Sequence, residues 1–136
     1  MLFSNRWGGA EQVAISDLAD LAAGGIDVQL ACFDGSPVHA AASRYSSIRV
    51  WPLESRTVGR ADLTFLADLK RVIDDAKANI VHTTDPSLLW YVVPALSRYP
   101  EVGLIASVNS LAHRGMSDLL RKPLFARVDY LLVLSE

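Results

Sequence analysis

The feature that most constrains the fold is an alternation between two kinds of apolar pattern. Short runs are apolar throughout, and the longer stretches between them carry apolar residues at every third or fourth position. Continuous runs are typical of strands that are buried on both faces, whereas the three-to-four spacing is typical of helices. The strand-like runs are residues 1–3, 28–33, 48–50, 80–83, 103–108 and 130–134. Strands separated by helices predict an α/β fold: a three-layer, Rossmann-like domain with a mainly parallel sheet and helices on both faces.

The predicted helices are marked by local boundary signals. A first helix is expected from Ala10 to Ala23, with Ala14, Leu18, Leu21 and Ala22 on its apolar side, and Gly24-Gly25 should end it because glycine accepts a left-handed conformation. Ser36-Pro37 and Asp85-Pro86 each combine a capping side chain with a proline that suits the first turn of a helix. Further helices are expected at residues 40–45, 63–76, 87–96 and 117–128, with Asn79 ending the second of these segments and Pro94 bending the third. Residues 52–59 are expected to form a loop.

Composition narrows the class of protein. The chain has 136 residues, 51% of them hydrophobic, and a formal net charge of −2. This is the size of one domain with a sizeable core, and it excludes an intrinsically disordered chain. The nearly balanced charge argues against nucleic acid as a partner, since phosphate backbones are bound by clustered Lys and Arg. No apolar run reaches the roughly 18 residues of a membrane span, and the N-terminal segment lacks the pattern of a signal peptide.

Candidate ligand contacts follow from the predicted topology, because parallel α/β sheets bind ligands beyond the carboxyl ends of their strands. The segments concerned are residues 4–11, 34–37, 83–86 and 109–115. In the first of them, Gly8 and Gly9 precede the first helix, where exposed N–H groups favour an anion. A tight turn between strand and helix explains the two glycines equally well. The segment has neither the Gly-x-Gly-x-x-Gly pattern of dinucleotide-binding domains nor the Gly-Lys-Ser/Thr of a P-loop.

Several motifs occur together along the chain. They are Gly8-Gly9-Ala10-Glu11, the helix end and strand start at residues 21–28, the segment at residues 78–86 that contains His82-Thr83-Thr84-Asp85-Pro86, and the final segment with Arg127, Asp129, Ser135 and Glu136. In this order and rough spacing they resemble glycosyltransferase family 4, a family of retaining enzymes with the two-domain GT-B fold that use sugar nucleotides. The resemblance covers nearly the whole chain, and it implies that residues 1–136 form the N-terminal, acceptor-side domain.

The resemblance also implies a donor site. Gly8 and Gly9 match the glycine-rich loop that approaches the diphosphate of the nucleotide sugar, and no metal or further cofactor is expected. The rest of the nucleotide site belongs to a C-terminal domain in this family. The chain ends at Glu136, where the family's chain is still inside its first domain. We therefore expect that a further domain or a partner chain completes the cleft, and that the 136-residue chain alone, a fragment of a hexosyltransferase-type enzyme, is inactive.

Two positions depart from the family pattern. The family often has a His-x-His pair where this chain has His82-Thr83-Thr84, and it commonly has a His where this chain has Asn109. An amide can hydrogen-bond a sugar hydroxyl but cannot act as a base near neutral pH. His113 could take the place of the missing histidine, with Arg114 beside it as an anion contact, although His113 is better explained as a solvated loop residue. The catalytic residue therefore stays unassigned.

The candidate acceptor or cleft residues all lie near the ends of predicted strands. These residues are Trp7, Glu11, His82, Thr84, Asp85, Asn109, His113 and Arg114. Trp7 suits stacking on a sugar or lipid, or packing over the sheet edge, whereas Asp85 is fully explained as a helix cap. Cys32, the single cysteine, lies inside a strand-like run and is expected to be a buried hydrophobe and not a nucleophile. No His, Cys and Asp cluster has metal-ligand spacing.

Two other functions are compatible with the sequence. The chain could be a non-catalytic Rossmann-like module that binds a nucleotide or a partner, which would account for Asn109. A flavodoxin-like or dehydrogenase domain is disfavoured by the absent dinucleotide pattern. For the glycosyltransferase, we expect a glycan or lipid-linked acceptor of the cell envelope and a cytoplasmic location, peripheral at the inner face of the membrane. An uncovered cleft with Trp7 exposed would favour self-association into a homodimer.

Overall fold

The computed structural model describes residues 1–54, 62–108 and 123–133 of the chain. These residues belong to two compact units, Met1–Thr57 and Val58–Glu136. In both units parallel strands are combined with helices. The predicted α/β class, a Rossmann-like domain of the kind found as one half of a GT-B fold, is confirmed.

The first unit has the order α1 (Gly9–Ala23), β1 (Val28–Phe33), α2 (Pro37–Ala42) and β2 (Ile48–Leu53). The two strands pair in parallel, with Val28 opposite Ile48 and Phe33 opposite Leu53. Buried apolar side chains from all four elements and from the N-terminal segment form its core, namely Leu2, Ile15, Val28, Leu30, Cys32, Val38, Ala42 and Ile48. Burial of these side chains is the main force that holds the helices against the strands.

Local signals place most boundaries of this unit correctly. Gly25 follows α1 with φ +86°, the left-handed conformation that was expected of the glycine pair. Ser36 caps α2, since its side chain accepts a hydrogen bond from the His39 N–H at 3.1 Å, and Pro37 is the first helical residue. The capping prediction is therefore confirmed, although α2 extends from Pro37 to Ala42 and not over residues 40–45.

Three expectations for this unit are wrong. Residues 1–3 are not part of a strand, although the Leu2 N–H donates to the carbonyl of Ala31 at 3.0 Å. Leu21 is 46% exposed, and Ile15 is the fully buried residue of α1. The strand predicted at 48–50 continues to Leu53, because residues 51–53 pair with the end of β1 and this pairing outweighs the poor strand propensity of Pro52.

The second unit contains α3 (Leu63–Ala76), β3 (Ile80–Thr83), a 3₁₀ turn (Pro86–Leu88), α4 (Leu89–Ala95), a second 3₁₀ turn (Leu96–Arg98), β4 (Gly103–Val108) and β5 (Tyr130–Val133). Its three strands are parallel and lie in the order β3-β4-β5. The bounds of β3 and β4 agree with the sequence prediction. Of the helix expected at residues 117–128, only residues 123–128 are described, and they are helical from 123 to 125 before a turn.

Helix α3 begins at a clear cap and has the predicted bounds. The Asp62 carboxylate accepts a hydrogen bond from the Phe65 N–H at 2.8 Å. Its last residue is Ala76, and the C-cap Lys77 has a left-handed conformation with φ +48°, so Lys77 and not Asn79 terminates the helix. Helix α4 contains Pro94 in its last turn and is followed directly by 3₁₀ geometry. A bend at Pro94 stays a prediction.

The sheet of the second unit has one strongly buried side. Val81 and Thr83 of β3 and Leu104 and Ala106 of β4 are all buried, while the alternating residues of both strands are more exposed. Helices α3 and α4 contribute buried residues to the same unit, and Phe65 contacts Tyr91 edge-to-face with ring centroids 5.1 Å apart. Strand β5 was expected to be buried on both sides, but its four residues are 48–69% exposed. A continuous apolar run therefore does not predict how much of a strand is buried by neighbouring elements.

Within residues 1–54, 62–108 and 123–133, no helix combines the length and the hydrophobicity that a membrane span requires.

Candidate functional site

The glycine loop before α1 is closed by its own glutamate. The Gly8 N–H donates to Glu11 Oε2 at 2.9 Å, and the Ser4 hydroxyl donates to Glu11 Oε1 at 2.9 Å. This is one half of a capping box, since Gly8 has no side chain that could return the hydrogen bond. The carboxylate therefore lies at the positive end of the helix dipole, where the sequence predicts an anion.

The two glycines of the loop differ in what they permit. Gly8 has an extended backbone with φ −143°, which any residue can adopt, but a Cβ there would lie 3.2 Å from Glu11 Oε2. A Cβ at Gly9 would meet nothing within 4 Å. A side chain at position 8 would therefore require the Glu11 carboxylate to shift by a few tenths of an ångström, whereas Gly9 leaves open space at the start of the helix. Binding of a diphosphate at these glycines stays a prediction.

Trp7 lies directly before Gly8 and is 46% exposed. Its position leaves part of the indole ring accessible to a ligand or another chain. Stacking of Trp7 on a sugar or lipid stays a prediction. Trp51, in contrast, lies within β2, donates from Nε1 to the side-chain oxygen of Gln29 at 2.8 Å, and stacks under the Arg49 guanidinium. These contacts show that Trp51 packs against β1 and its own strand.

The segment after β3 brings three candidate residues together. His82 and Thr84 are half-buried at the end of the strand, and Asp85 begins the 3₁₀ turn. The Asp85 carboxylate accepts from the Ser87 N–H at 2.8 Å, which confirms the prediction that it is a cap. The Thr83 hydroxyl donates to the Asp85 carbonyl at 3.1 Å, so the turn is held from both sides.

His82 forms a short contact that the sequence analysis missed. Its Nε2 lies 2.7 Å from the hydroxyl oxygen of Ser107 on the neighbouring strand β4. Burial lowers the pKa of the His82 imidazole below its ordinary value of 6.5, so the neutral ring predominates near pH 7. The sequence does show a serine, Ser107, in an apolar strand two residues before the candidate Asn109. Its contact with His82 could not be predicted, because it depends on the register between β3 and β4.

The final motif of the chain makes structural contacts in its described part. Arg127 donates to the carbonyl of Val102 at 2.5 Å and to Asp129 Oδ2 at 3.1 Å. Asp129 Oδ2 also accepts from the Leu104 N–H at 2.7 Å. The arginine and aspartate therefore join the start of β5 to the start of β4, and they are not available as a free pair of charges.

Three candidate residues, Asn109, His113 and Arg114, lie outside the described residues, as do Leu134, Ser135 and Glu136. Within the described ranges, no group of three or more His, Cys, Asp and Glu side chains could hold a metal ion. Cys32 is fully buried, and burial raises the pKa of its thiol to about 11. The thiolate that a nucleophile requires is therefore disfavoured, in agreement with the expected structural role.

The chain matches a known protein family. A family model described as Glycosyltransferase Family 4 matches residues 7–136, which is nearly the whole chain. No curated protein and no solved structure gives a significant match. The matched range includes the glycine loop, the segment after β3 and the Arg127–Asp129 motif.

Proposed function

Because the chain belongs to glycosyltransferase family 4, we propose that it is the acceptor-side domain of an enzyme that transfers a sugar from a nucleotide-sugar donor to a glycan or lipid-linked acceptor. The observation that carries the proposal is the family match over residues 7–136. Transfer with retention of anomeric configuration is part of the proposal, by resemblance to the family. The contacts within the described residues indicate which chemical task each part of the domain can perform.

Gly8 and Gly9 are proposed to contact the donor diphosphate. When the glycosidic bond to the diphosphate breaks, negative charge grows on the leaving group, and fixed N–H donors stabilise that charge without reorganisation. The N-terminus of the 15-residue helix α1 supplies such donors. Glu11 accepts the Gly8 N–H at 2.9 Å, so the first free donors are expected further into the helix, beginning at Gly9.

The acceptor is proposed to contact the segment after β3 and the segment at residues 109–114. His82 and Thr84 offer neutral hydrogen-bonding groups at the end of β3. Asn109 and His113 add an amide and an imidazole, and Arg114 adds a cation that suits an anionic acceptor or a lipid phosphate. Trp7 offers an aromatic surface for the C–H face of a sugar or for a lipid chain.

The proposal includes the surroundings of the domain. Further basic residues on the diphosphate would come from a second domain or a partner chain, no metal ion is required, and the 136-residue chain alone is inactive. The proposed location is the cytoplasm, at the inner face of the membrane, where lipid-linked acceptors of the cell envelope are available. Self-association through the cleft side of the chain is a further part of the proposal.

Binding of the donor can be tested by NMR on the ¹⁵N-labelled chain with UDP-glucose, GDP-mannose and inorganic pyrophosphate as probes. We expect at least one nucleotide sugar to shift the backbone amides of Gly9 and Ala10, and Gly9→Val to weaken that binding at least tenfold. The matched control is Gly103→Ala, since a Cβ at Gly103 meets only ordinary contacts at 3.8 Å. If neither nucleotide sugar moves an amide between Gly8 and Glu11, the donor site is wrong.

Transfer is tested separately with a radiolabelled nucleotide sugar and a membrane extract as the source of acceptors. The 136-residue chain alone should transfer no sugar, and the same domain within a chain that carries a nucleotide-binding domain should do so. Turnover by the isolated chain would contradict its proposed inactivity. Nucleotide binding without transfer in either form would instead identify a non-catalytic module.

A further inference from the structure

His39 contacts two polar groups of the turn that follows β1, and it does so through one ring atom. The Gly35 backbone N–H donates to His39 Nδ1, with 3.1 Å between the two nitrogens. The same Nδ1 lies 3.1 Å from Oδ1 of Asp34. Asp34 and Gly35 directly follow β1, and His39 belongs to α2, so these contacts close the turn between the two elements.

The two contacts require opposite forms of the ring atom. A backbone N–H can only donate, and an ionised carboxylate can only accept. Nδ1 therefore needs a lone pair to bond Gly35 and a proton to bond Asp34, and it cannot have both at once. The Gly35 N–H is aimed at Nδ1, so the neutral ring that avoids placing two N–H groups against each other carries its proton on Nε2. The protonated ring, with a proton on each nitrogen, bonds Asp34 instead.

Backbone hydrogen bonds that do not titrate hold the turn and the ring near each other. The Asp34 N–H donates to the carbonyl of Leu53, the last residue of β2, at 2.6 Å. The Ser36 hydroxyl accepts from the His39 N–H at 3.1 Å and fixes the start of α2. The side chain of His39 is 26% exposed and that of Asp34 is 67% exposed. A proton from solvent can therefore reach the ring while its two partners stay close.

Asp34 is the acidic side chain that meets the ring. Helix α2 packs against α1, β1 and β2. Within the described residues, no other carboxylate lies within 4.0 Å of a His39 ring nitrogen. The other charged or titratable side chains on these elements and beside their ends are Glu11, Asp17, Asp20, Asp27, Cys32, Arg44, Tyr45, Arg49 and Glu54. In the described part of the chain, the anionic partner in contact with a protonated His39 is therefore Asp34.

We propose that the turn at residues 34–36 is a pH-sensitive switch, in which protonation of His39 transfers Nδ1 from Gly35 to Asp34. With a neutral ring, Gly35 is bonded and the ring gives nothing to the Asp34 carboxylate. With a protonated ring, Asp34 is bonded and the Gly35 N–H is released. The turn lies at the carboxyl end of β1, where parallel α/β sheets bind ligands, so the switch changes the polar groups displayed there. It does not depend on the proposed function.

The first test measures the bond between Gly35 and His39 in the ¹⁵N-labelled chain. An N–H···N hydrogen bond gives a ¹⁵N–¹⁵N scalar coupling, and long-range ¹H–¹⁵N spectra show which ring nitrogen carries the proton. His39→Gln assigns the ring signals among the three histidines of the chain. Because histidine side chains change charge between about pH 5 and 8, we expect the coupling and the Nε2–H form at the upper end of this range. The coupling should disappear on acidification with the same midpoint as protonation of the ring.

Two results of this titration would overturn the switch. One is a coupling that persists when the His39 ring is protonated. The other is a neutral ring that carries its proton on Nδ1 and shows no coupling to the Gly35 amide.

The second test removes one partner at a time. Asp34→Ala removes the acceptor of the protonated ring, so the midpoint of the His39 transition should fall by about 0.2 to 0.7 pH units, the range expected for an exposed ion pair. Asp17→Ala, which removes an exposed carboxylate from α1 of the same unit, is the matched control and should move the midpoint less. His39→Gln supplies an acceptor that does not titrate, so the Gly35 amide should lose its pH response. An equal shift in Asp34→Ala and Asp17→Ala, or an unchanged response of Gly35 in His39→Gln, would contradict the proposal.

Discussion

The carboxylate of Asp129 accepts a hydrogen bond from the backbone N–H of Leu104 at 2.7 Å, and the backbone N–H of Asp129 donates to the carbonyl of Leu104 at 2.8 Å. One residue at the start of β5 thus satisfies both backbone polar groups of a buried residue in β4. Arg127 extends the arrangement to the carbonyl of Val102 at 2.5 Å. The arginine-aspartate motif therefore sets the register in which β5 pairs with β4.

Asp129→Ala should destabilise the second unit. The substitution leaves the Leu104 N–H without its side-chain acceptor and removes the partner of Arg127, and a buried donor without an acceptor is costly. We expect a lower midpoint of urea unfolding and faster hydrogen exchange of the Leu104 amide. Asp75→Ala, an exposed acidic position on α3, is the control and should move neither quantity. Unchanged exchange at Leu104 in Asp129→Ala would show that the contact does not hold the strand.

The contribution of Asp129 should depend on pH in the acid range. The hydrogen bond from Leu104, with help from Arg127, lowers the pKa of the Asp129 carboxyl below its ordinary value of 3.8. A lowered carboxyl pKa contributes stability that is fully present above the unfolded-state pKa and is lost as the pH falls through the folded-state pKa. The difference in unfolding midpoint between wild type and Asp129→Asn should therefore shrink as the pH falls from about 6 to about 2. A difference that is constant over this range would contradict the lowered pKa.

Glu11→Ala should loosen the start of α1. It removes the acceptor of the Gly8 N–H and of the Ser4 hydroxyl, and we expect a loss of about 1 kcal/mol in the free energy of unfolding. Glu11→Gln should lower the free energy of unfolding by less than Glu11→Ala does, because one acceptor oxygen is kept.

Glu11→Gln also removes a negative charge beside the proposed diphosphate contact, so this variant should bind pyrophosphate more tightly than the wild type does. Equal or weaker pyrophosphate binding by Glu11→Gln would show that the carboxylate does not compete with the anion.

Phe65 and Leu63 should respond differently to truncation, although they lie on the same helix. Phe65 is fully buried and contacts Tyr91, so Phe65→Ala should cost about 3–5 kcal/mol. Leu63 is 76% exposed, and Leu63→Ala should change the free energy of unfolding by less than about 0.5 kcal/mol. Chemical denaturation of both variants measures the contrast. Similar losses in the free energy of unfolding for the two variants would contradict the exposed position of Leu63.

Cys32 should resist thiol reagents in the folded protein. Its side chain is fully buried, and its pKa is raised to about 11, so both access and thiolate formation are disfavoured. Since this is the single cysteine of the chain, the reaction of a chromogenic disulfide reagent reports it directly. We expect slow labelling in buffer and rapid, complete labelling in denaturant. Rapid labelling under native conditions would contradict the buried position.

Features that depend on neighbouring residues were predictable from the sequence. The Ser36-Pro37 and Asp85-Pro86 pairs begin their helical segments, and Gly25 has the expected positive φ. Strand β4 has the predicted bounds. In each case the deciding interaction is a cap within a few positions or a continuous apolar run, so the information lies in one short segment.

Features that depend on partners distant in the chain were not predictable. An apolar spacing placed Leu21 on the buried face of α1, but Leu21 is exposed, since burial is decided by whichever element packs against the helix. The pattern also could not show that Glu11 occupies the anion position of its own loop. It identified His82 as a candidate without its partner, Ser107, which lies 25 residues away.

The sequence by itself determined the α/β class, the helix caps, most strand positions and, through the order of its motifs, the family. Tertiary structure alone decided which apolar residues are covered, that Arg127 and Asp129 hold β5 against β4, and that His82 meets Ser107. The physical reason is that propensities and caps act over a few neighbouring residues. Burial and cross-strand contacts arise only when strand register brings residues from distant parts of the chain to within a few ångströms of each other.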